Sequence, residues 1–169
     1  SRIAFRRCPS AVFLPVRMSA YRAVSEQLMA LFRRVTPIVE QLSVDEAFLD
    51  VRGVLGKTGS AEEIARDLKA MVRSKLNLTA SVGVASNKFL AKLASDLEKP
   101  DGLTVVPVVQ EAIQRFLVRL PVRRIWGVGR VTAQRLADHG ISTIGQIQAR
   151  TPDEMGRLLG KSHGLHVWR

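Results

Sequence analysis

The sequence predicts an α+β region followed by a small all-α region, and three observations predict it. Between residues 38 and 106 short β-branched stretches alternate with amphipathic helical stretches. After Pro107 the strand-like segments stop and only short helical patterns follow. Hydrophobic residues make up 46% of the 169-residue chain, enough for a packed core and too much for a disordered segment. A boundary near Pro107 therefore divides residues 1–106 from residues 107–169.

In order, residues 1–17 are basic and irregular, broken by Pro9 and Pro15, with Phe13-Leu14 a candidate short strand. Met18 to Val35 reads as a helix, with Tyr21, Val24, Leu28, Leu31, Phe32 and Val35 spaced by threes and fours and Ser19 placed to cap it. Pro37 ends that helix, and Ile38–Leu42 and Glu46–Val51 form a candidate antiparallel pair. Ser60 and Glu63 have the spacing of a capping box, opening a helix whose apolar face is Ile64, Leu68, Met71 and Val72. Asn77 is its stop. Thr79–Ala85 reads as a strand, and Asn87–Leu97 as a helix with Phe89, Leu90, Leu93 and Leu97 on its apolar side. Lys99-Pro100-Asp101-Gly102 is a turn by composition, leading into a strand at Leu103–Val106. Beyond Pro107, helices are expected at Val109–Leu117, Val131–His139 and Ile144–Ala149, and from Thr151, whose T-P-D-E start combines a capping threonine with proline at the first helical position.

The net charge is +11, from 26 Lys and Arg against 15 Asp and Glu. Such a bias points to a polyanionic partner, nucleic acid before an anionic membrane, although a merely soluble basic protein carries the same bias. One cysteine, Cys8, excludes an intrachain disulfide and suits a reducing, cytoplasmic setting. No apolar run reaches the roughly 20 residues of a membrane span, and no secretory leader pattern opens the sequence. The sequence begins in mid-pattern at Ser1 without a methionine, so a fragment is expected.

Leu42 to Val51, LSVDEAFLDV, sets two adjacent acids, Asp45 and Glu46, in an apolar stretch. Buried carboxylates need compensation, and a divalent cation with its demand for hard oxygen ligands is the usual one. Neighbours in a strand point to opposite faces, so both acids reach one ion only from a tight turn or a strand start. A surface turn with two solvated acids is the competing reading.

Leu120 to Leu136, LPVRRIWGVGRVTAQRL, places a Gly-Val-Gly turn between a short helix and a longer one. Glycines permit positive φ and close backbone approach, and a helix start attracts anions. Arg119, Arg123, Arg124, Arg130 and Arg135 surround the turn and no acid lies between 119 and 135. Backbone donors plus positive charge make a phosphate clamp without base readout, the helix-hairpin-helix pattern; a second Gly-Ile step at Gly140-Ile141 strengthens it. In Ser86 to Gly102, SNKFLAKLASDLEKPDG, Lys88 and Lys92 share a helix face and Lys99 lies in the turn beyond. Solvated surface lysines are the simpler reading of any one of them.

These three stretches, in this order, resemble the Y-family translesion DNA polymerases, most closely the DNA polymerase IV (DinB-like) branch, over nearly the whole chain. The resemblance implies an α+β palm of mixed or antiparallel sheet with helices (1–106, partial) and a small all-α thumb bearing the helix-hairpin-helix (107–169, partial). It implies template-directed synthesis across damaged DNA by two-metal nucleotidyl transfer, with Mg2+, or Mn2+ in its place, as cofactor. Asp45 and Glu46 would be the catalytic, metal-binding carboxylates, Asp45 bridging the ions and Glu46 helping hold the one at the primer 3′-hydroxyl. Lys99 would contact the triphosphate of the incoming nucleotide. Gly127, Val128, Gly129, Arg130 and Arg124 would hold the DNA backbone. Primer-template DNA, a deoxynucleoside triphosphate and, in a full-length protein, the replicative sliding clamp would be partners, with no membrane.

The sequence departs from the family where its first metal-binding aspartate, its fingers and its little finger would be matched. A palm-thumb fragment, inactive alone, is therefore expected. A non-catalytic helix-hairpin-helix DNA-binding protein is the alternative, with Asp45 and Glu46 structural. Another two-metal phosphoryl-transfer enzyme, such as a nucleotide cyclase with a similar palm, is a third, against which the hairpin argues.

Overall fold

The structure, a computed structural model, describes residues 2–168; Ser1 and Arg169, the outer ends of the two expected regions, lie outside the described residues. The chain runs α1 (Arg2–Arg7), α2 (Met18–Val35), β1 (Val39–Gln41), β2 (Ala47–Leu49), α3 (Ala61–Leu76), β3 (Val82–Val84), α4 (Lys88–Ser95) and β4 (Leu103–Val105). It continues with α5 (Gln110–Leu117), a 3₁₀ turn at Val122–Arg124, α6 (Arg130–Ala137), α7 (Ile144–Gln148), α8 (Pro152–Leu159) and α9 (Lys161–Trp168).

The strands form one antiparallel and one parallel pair. β1 and β2 are antiparallel, with Val39 opposite Leu49 and Gln41 opposite Ala47. β3 and β4 are parallel, with Val82 opposite Leu103, joined through α4. The crossover is tight. A Cβ at Gly83 would lie 2.1 Å from the Ala91 carbonyl oxygen, so only glycine lets α4 settle this close to β3.

Two apolar clusters hold the elements together. Met29 and Phe32 of α2 pack with Leu68 and Val72 of α3, and with Val39, Ala47 and Leu49 of the β1–β2 pair. The larger cluster joins Leu90, Leu93 and Ala94 of α4 to Leu117, Val122, Ile125, Val128, Leu136, Ile141, Ile144, Ile147 and Met155. α4 thus shares its core with the C-terminal helices. Leu136 and Met155 are wholly buried, and truncating either to alanine is expected to cost about 2–5 kcal/mol.

Local signals explain several helix ends. Ser60 accepts from the Glu63 amide while the Glu63 carboxylate accepts from the Ser60 amide, a complete capping box. Thr151 and Glu154 do the same for α8. Asn77 closes α3 in the left-handed region, at φ 53°. Thr36 ties the end of α2 to the exit of β2, its hydroxyl donating to the Asp50 carbonyl at 2.7 Å.

Several expectations need correction. Phe13-Leu14 forms no strand; both side chains are exposed and no neighbour pairs with them among the described residues. Ser19 does not cap α2: Arg17 occupies the cap without a side-chain bond, and its carbonyl takes the Ala20 and Tyr21 amides. Tyr21, Val24 and Phe89 are exposed rather than packed. Helices α1 and α9 were not anticipated, because neither short segment carries a strong apolar period.

Candidate active site and nucleic-acid interface

The turn between β1 and β2 is built around one serine. The Ser43 hydroxyl donates to Asp45 Oδ1 at 2.7 Å and accepts from the amides of Asp45 and Glu46 at 3.3 and 3.1 Å. The amides of Leu42 and Ser43 both reach the Glu46 carbonyl. Gln41 fastens this turn to α2, donating to the Ser43 carbonyl and the Ser25 hydroxyl. The turn holds Asp45 and Glu46 side by side just before β2, Asp45 exposed and Glu46 half-buried.

A charged stripe on α4 faces this hairpin. Lys88 pairs with Glu40 on β1 and lies over the Phe48 ring. One turn on, Lys92 pairs with Glu46 Oε1 at 2.9 Å and with Asp96 Oδ2 at 2.8 Å. Asp96 Oδ1 in turn holds Lys99 at 2.6 Å. Burial acts against the Lys92 ammonium, but its bonds to Asp96 and Glu46 outweigh it and hold its pKa above the ordinary lysine value. Burial likewise acts against the Asp96 carboxylate, and the bonds from Lys92 and Lys99 outweigh it and hold the pKa below the usual range. Lys69 secures the turn that carries Lys99, donating to the carbonyls of Ala80 and Asp101 at 2.6 and 2.8 Å.

Asp45, Glu46 and Lys99, singled out in the sequence, therefore lie on one connected network. Asp96 is the member that sequence reasoning missed, and Lys92 was noted there only as a lysine sharing a helix face with Lys88. Their spacing of four with Lys99 three further on was visible; the tertiary pairing of Lys92 with Glu46 was not. Among the described residues no group of three or more His, Cys, Asp or Glu is placed to hold a metal ion. Two adjacent hard carboxylates nonetheless fit Mg2+, which is commonly held by one or two carboxylates plus substrate phosphates. Glu46 Oε2 and Asp45 Oδ2 have no partner among the described residues.

The second candidate is the turn before α6. Gly127 has φ 91°, and Gly129 is extended, at φ −80° and ψ −179°. Positive φ thus belongs to Gly127 alone of the pair, and a Cβ at Gly129 would meet nothing within 4 Å. Behind Gly127 stands α9: His166 Nε2 donates to the Trp126 carbonyl at 3.2 Å. Val128 buries its side chain in the larger core, so only its backbone is offered outward. Its amide donates to Ile125, and the next internal bond runs from Ala133 to Gly129. Between them the amides of Gly129, Arg130, Val131 and Thr132 find no partner among the described residues. Arg119, Arg123, Arg130 and Arg135 are exposed. Arg124 is engaged inward, donating to the Asp96 carbonyl at 2.9 Å. It joins the hairpin to the end of α4.

Residues 1–96 match the model of the impB/mucB/samB family, and residues 110–141 match that of the IMS family HHH motif. The chain is 49% identical over 157 residues to DNA polymerase IV of Alkalilimnicola ehrlichii, covering 93% of this chain and 44% of that one. It is 45% identical over 168 residues to DNA polymerase IV of Exiguobacterium sibiricum, covering 99% and 46%. The chain thus spans less than half the length of these curated relatives. Among solved structures, DinB from Sulfolobus solfataricus matches with a TM-score of 0.86 at 36% identity, over 98% of this chain and 48% of that one. The insertion ternary complex of Dbh DNA polymerase matches with a TM-score of 0.83, also at 36% identity, over 98% and 48%. These matches do not favour the non-catalytic alternative. With its α+β palm, all-α thumb and helix-hairpin-helix, the chain belongs to the impB/mucB/samB family, as a Y-family, DinB-like polymerase sequence.

Proposed function

We propose that this chain supplies the catalytic carboxylates and the DNA-holding thumb of a translesion DNA polymerase. One observation carries the reading: in a chain 49% identical to a DNA polymerase IV, the β1–β2 turn presents Asp45 and Glu46 together. Each has one oxygen engaged, by Ser43 or by Lys92, and the other open.

Asp45 and Glu46 would hold Mg2+, with Mn2+ as a substitute. When bound, divalent cations stabilise the attacking and leaving oxygens of an in-line phosphoryl displacement. The chain's own groups do the remaining work. Ser43 would orient the Asp45 carboxylate, and Lys92 would hold Glu46 by one oxygen until a cation competes for it. Lys99, in an exposed turn and paired with Asp96, would neutralise the triphosphate of an incoming deoxynucleotide. The amides and arginines of the thumb hairpin would hold primer-template DNA by its phosphates, without reading bases. No described helix is long and apolar enough to cross a membrane, and we assign the protein to the cytoplasm.

The test is primer extension by the full-length protein on a template carrying an abasic site. Extension past the lesion is expected in Mg2+ and none in excess chelator. A well-folded preparation that extends no primer in either Mg2+ or Mn2+ overturns the reading.

A further inference from the structure

We propose that Lys92 and Asp96 form a charge relay that couples metal uptake at Glu46 to triphosphate uptake at Lys99. The inference rests on the assignment of those two ligands above and adds two positioning residues to it. Lys92 is the hub on the carboxylate side, with only 16% of its side chain exposed. It divides one ammonium between Glu46 and Asp96. Asp96 is the hub on the lysine side and divides one carboxylate between Lys92 and Lys99, an oxygen for each. Glu46, Lys92, Asp96 and Lys99 thus alternate in sign along a single path.

Alternation has a consequence. Any ligand that draws Lys99 away leaves Asp96 entirely to Lys92. Lys92 then leans less on Glu46, and Glu46 is freer for a cation. A triphosphate at Lys99 therefore favours a metal at Glu46, and the reverse holds by linkage. Removing Asp96 has the opposite effect on the two ends: Lys92 falls wholly on Glu46, and Lys99 is released. Removing Lys92 frees Glu46 and confines Asp96 to Lys99.

The experiment measures two affinities of this chain separately. Mn2+ binding is followed by electron paramagnetic resonance without phosphate, and inorganic triphosphate binding by calorimetry in EDTA. Asp96→Asn is expected to weaken Mn2+ and tighten triphosphate, each about two- to fivefold, as suits a partly exposed ion pair. Lys92→Met is expected to do the reverse by a similar factor. Asn keeps the backbone carbonyl that Arg124 uses, so the contact with the thumb survives, and circular dichroism confirms the fold. Lys88→Met is the control. It makes the same charge change one turn away, on a lysine paired with Glu40, and is expected to move neither affinity.

Crossed signs in the two variants with a silent Lys88→Met support the relay. Parallel shifts, no shifts, or a Lys88→Met that matches Lys92→Met overturn it, the last by reducing it to a general field. Wild-type chain that takes up neither Mn2+ nor triphosphate at millimolar concentrations overturns the ligand assignments and the relay with them.

Discussion

At the turn between β1 and β2 the groups on offer are side-chain carboxylates, held by Ser43 and Lys92. At the turn before α6 they are backbone amides, backed by His166 and flanked by exposed arginines. Under the proposed function the first site would depend on which atoms end two particular side chains. The second depends on how the chain bends at Gly127 and on how many positive charges stand near it. Substitutions should therefore fail differently at the two turns. At the palm turn a small chemical change should abolish function while the fold holds. At the thumb turn graded losses are expected, set by backbone shape and by charge count.

The largest effect is expected at the palm. Glu46→Ala in the full-length protein should lower the rate of extension by about 10² or more, since electrostatic stabilisation of the transition state is lost. The fold should hold, because the turn itself is closed by Ser43 and backbone bonds. Thermal melting alongside single-turnover extension checks both halves. Lys99→Ala comes next. Losing one charge-assisted bond to a triphosphate should raise the nucleotide KM roughly tenfold. A changed melting temperature with an unchanged KM would return Lys99 to the role of surface ion pair with Asp96.

The thumb should answer in slopes rather than in losses. If the hairpin neutralises about three phosphates, log affinity for duplex DNA should fall with log salt at a slope of roughly −2.7. Arg130→Ala should flatten that slope by about one unit on every sequence alike. Gly127→Val should weaken binding to all sequences, because valine resists φ 91° and its Cβ would crowd His166. A strong preference for one duplex sequence would break the contrast between the two turns.

The smallest effect concerns the capping boxes. Ser60→Ala should cost about 1 kcal/mol. Glu63 and Glu154 each accept first from a backbone amide, of Ser60 and Thr151, which holds their pKa below the ordinary 4.5. A depressed folded pKa means that their contribution is present above that ordinary value and is lost as pH falls through the folded values. Melting curves between neutral and acidic pH should show this loss shrink when Glu63 is replaced by Gln.

Much of this architecture was legible in the residues. The hairpin turn at Asp45-Glu46, both capping boxes named in advance, the Asn77 stop and the α6 hairpin are local signals, readable within a few positions. What escaped was tertiary. The Lys92–Glu46 pair joins residues 46 apart in the chain, and no local pattern announces it. Gly127 and Gly129 look equivalent in sequence; the packing of α9 behind the turn distinguishes them. The sharing of one core by α4 and the C-terminal helices also has no signature at Pro107, where composition changes but packing does not.

The most direct test of the central claim separates chemistry from binding at one atom. Asp45→Asn keeps the size of the side chain and an oxygen that can accept from Ser43, and removes the charge. Primer extension and primer-template affinity are measured on the same full-length preparation. Extension reduced by about 10² or more with affinity within twofold of wild type is the predicted result. Extension near the wild-type rate would contradict the account, because a carboxylate that can lose its charge without consequence holds no catalytic cation.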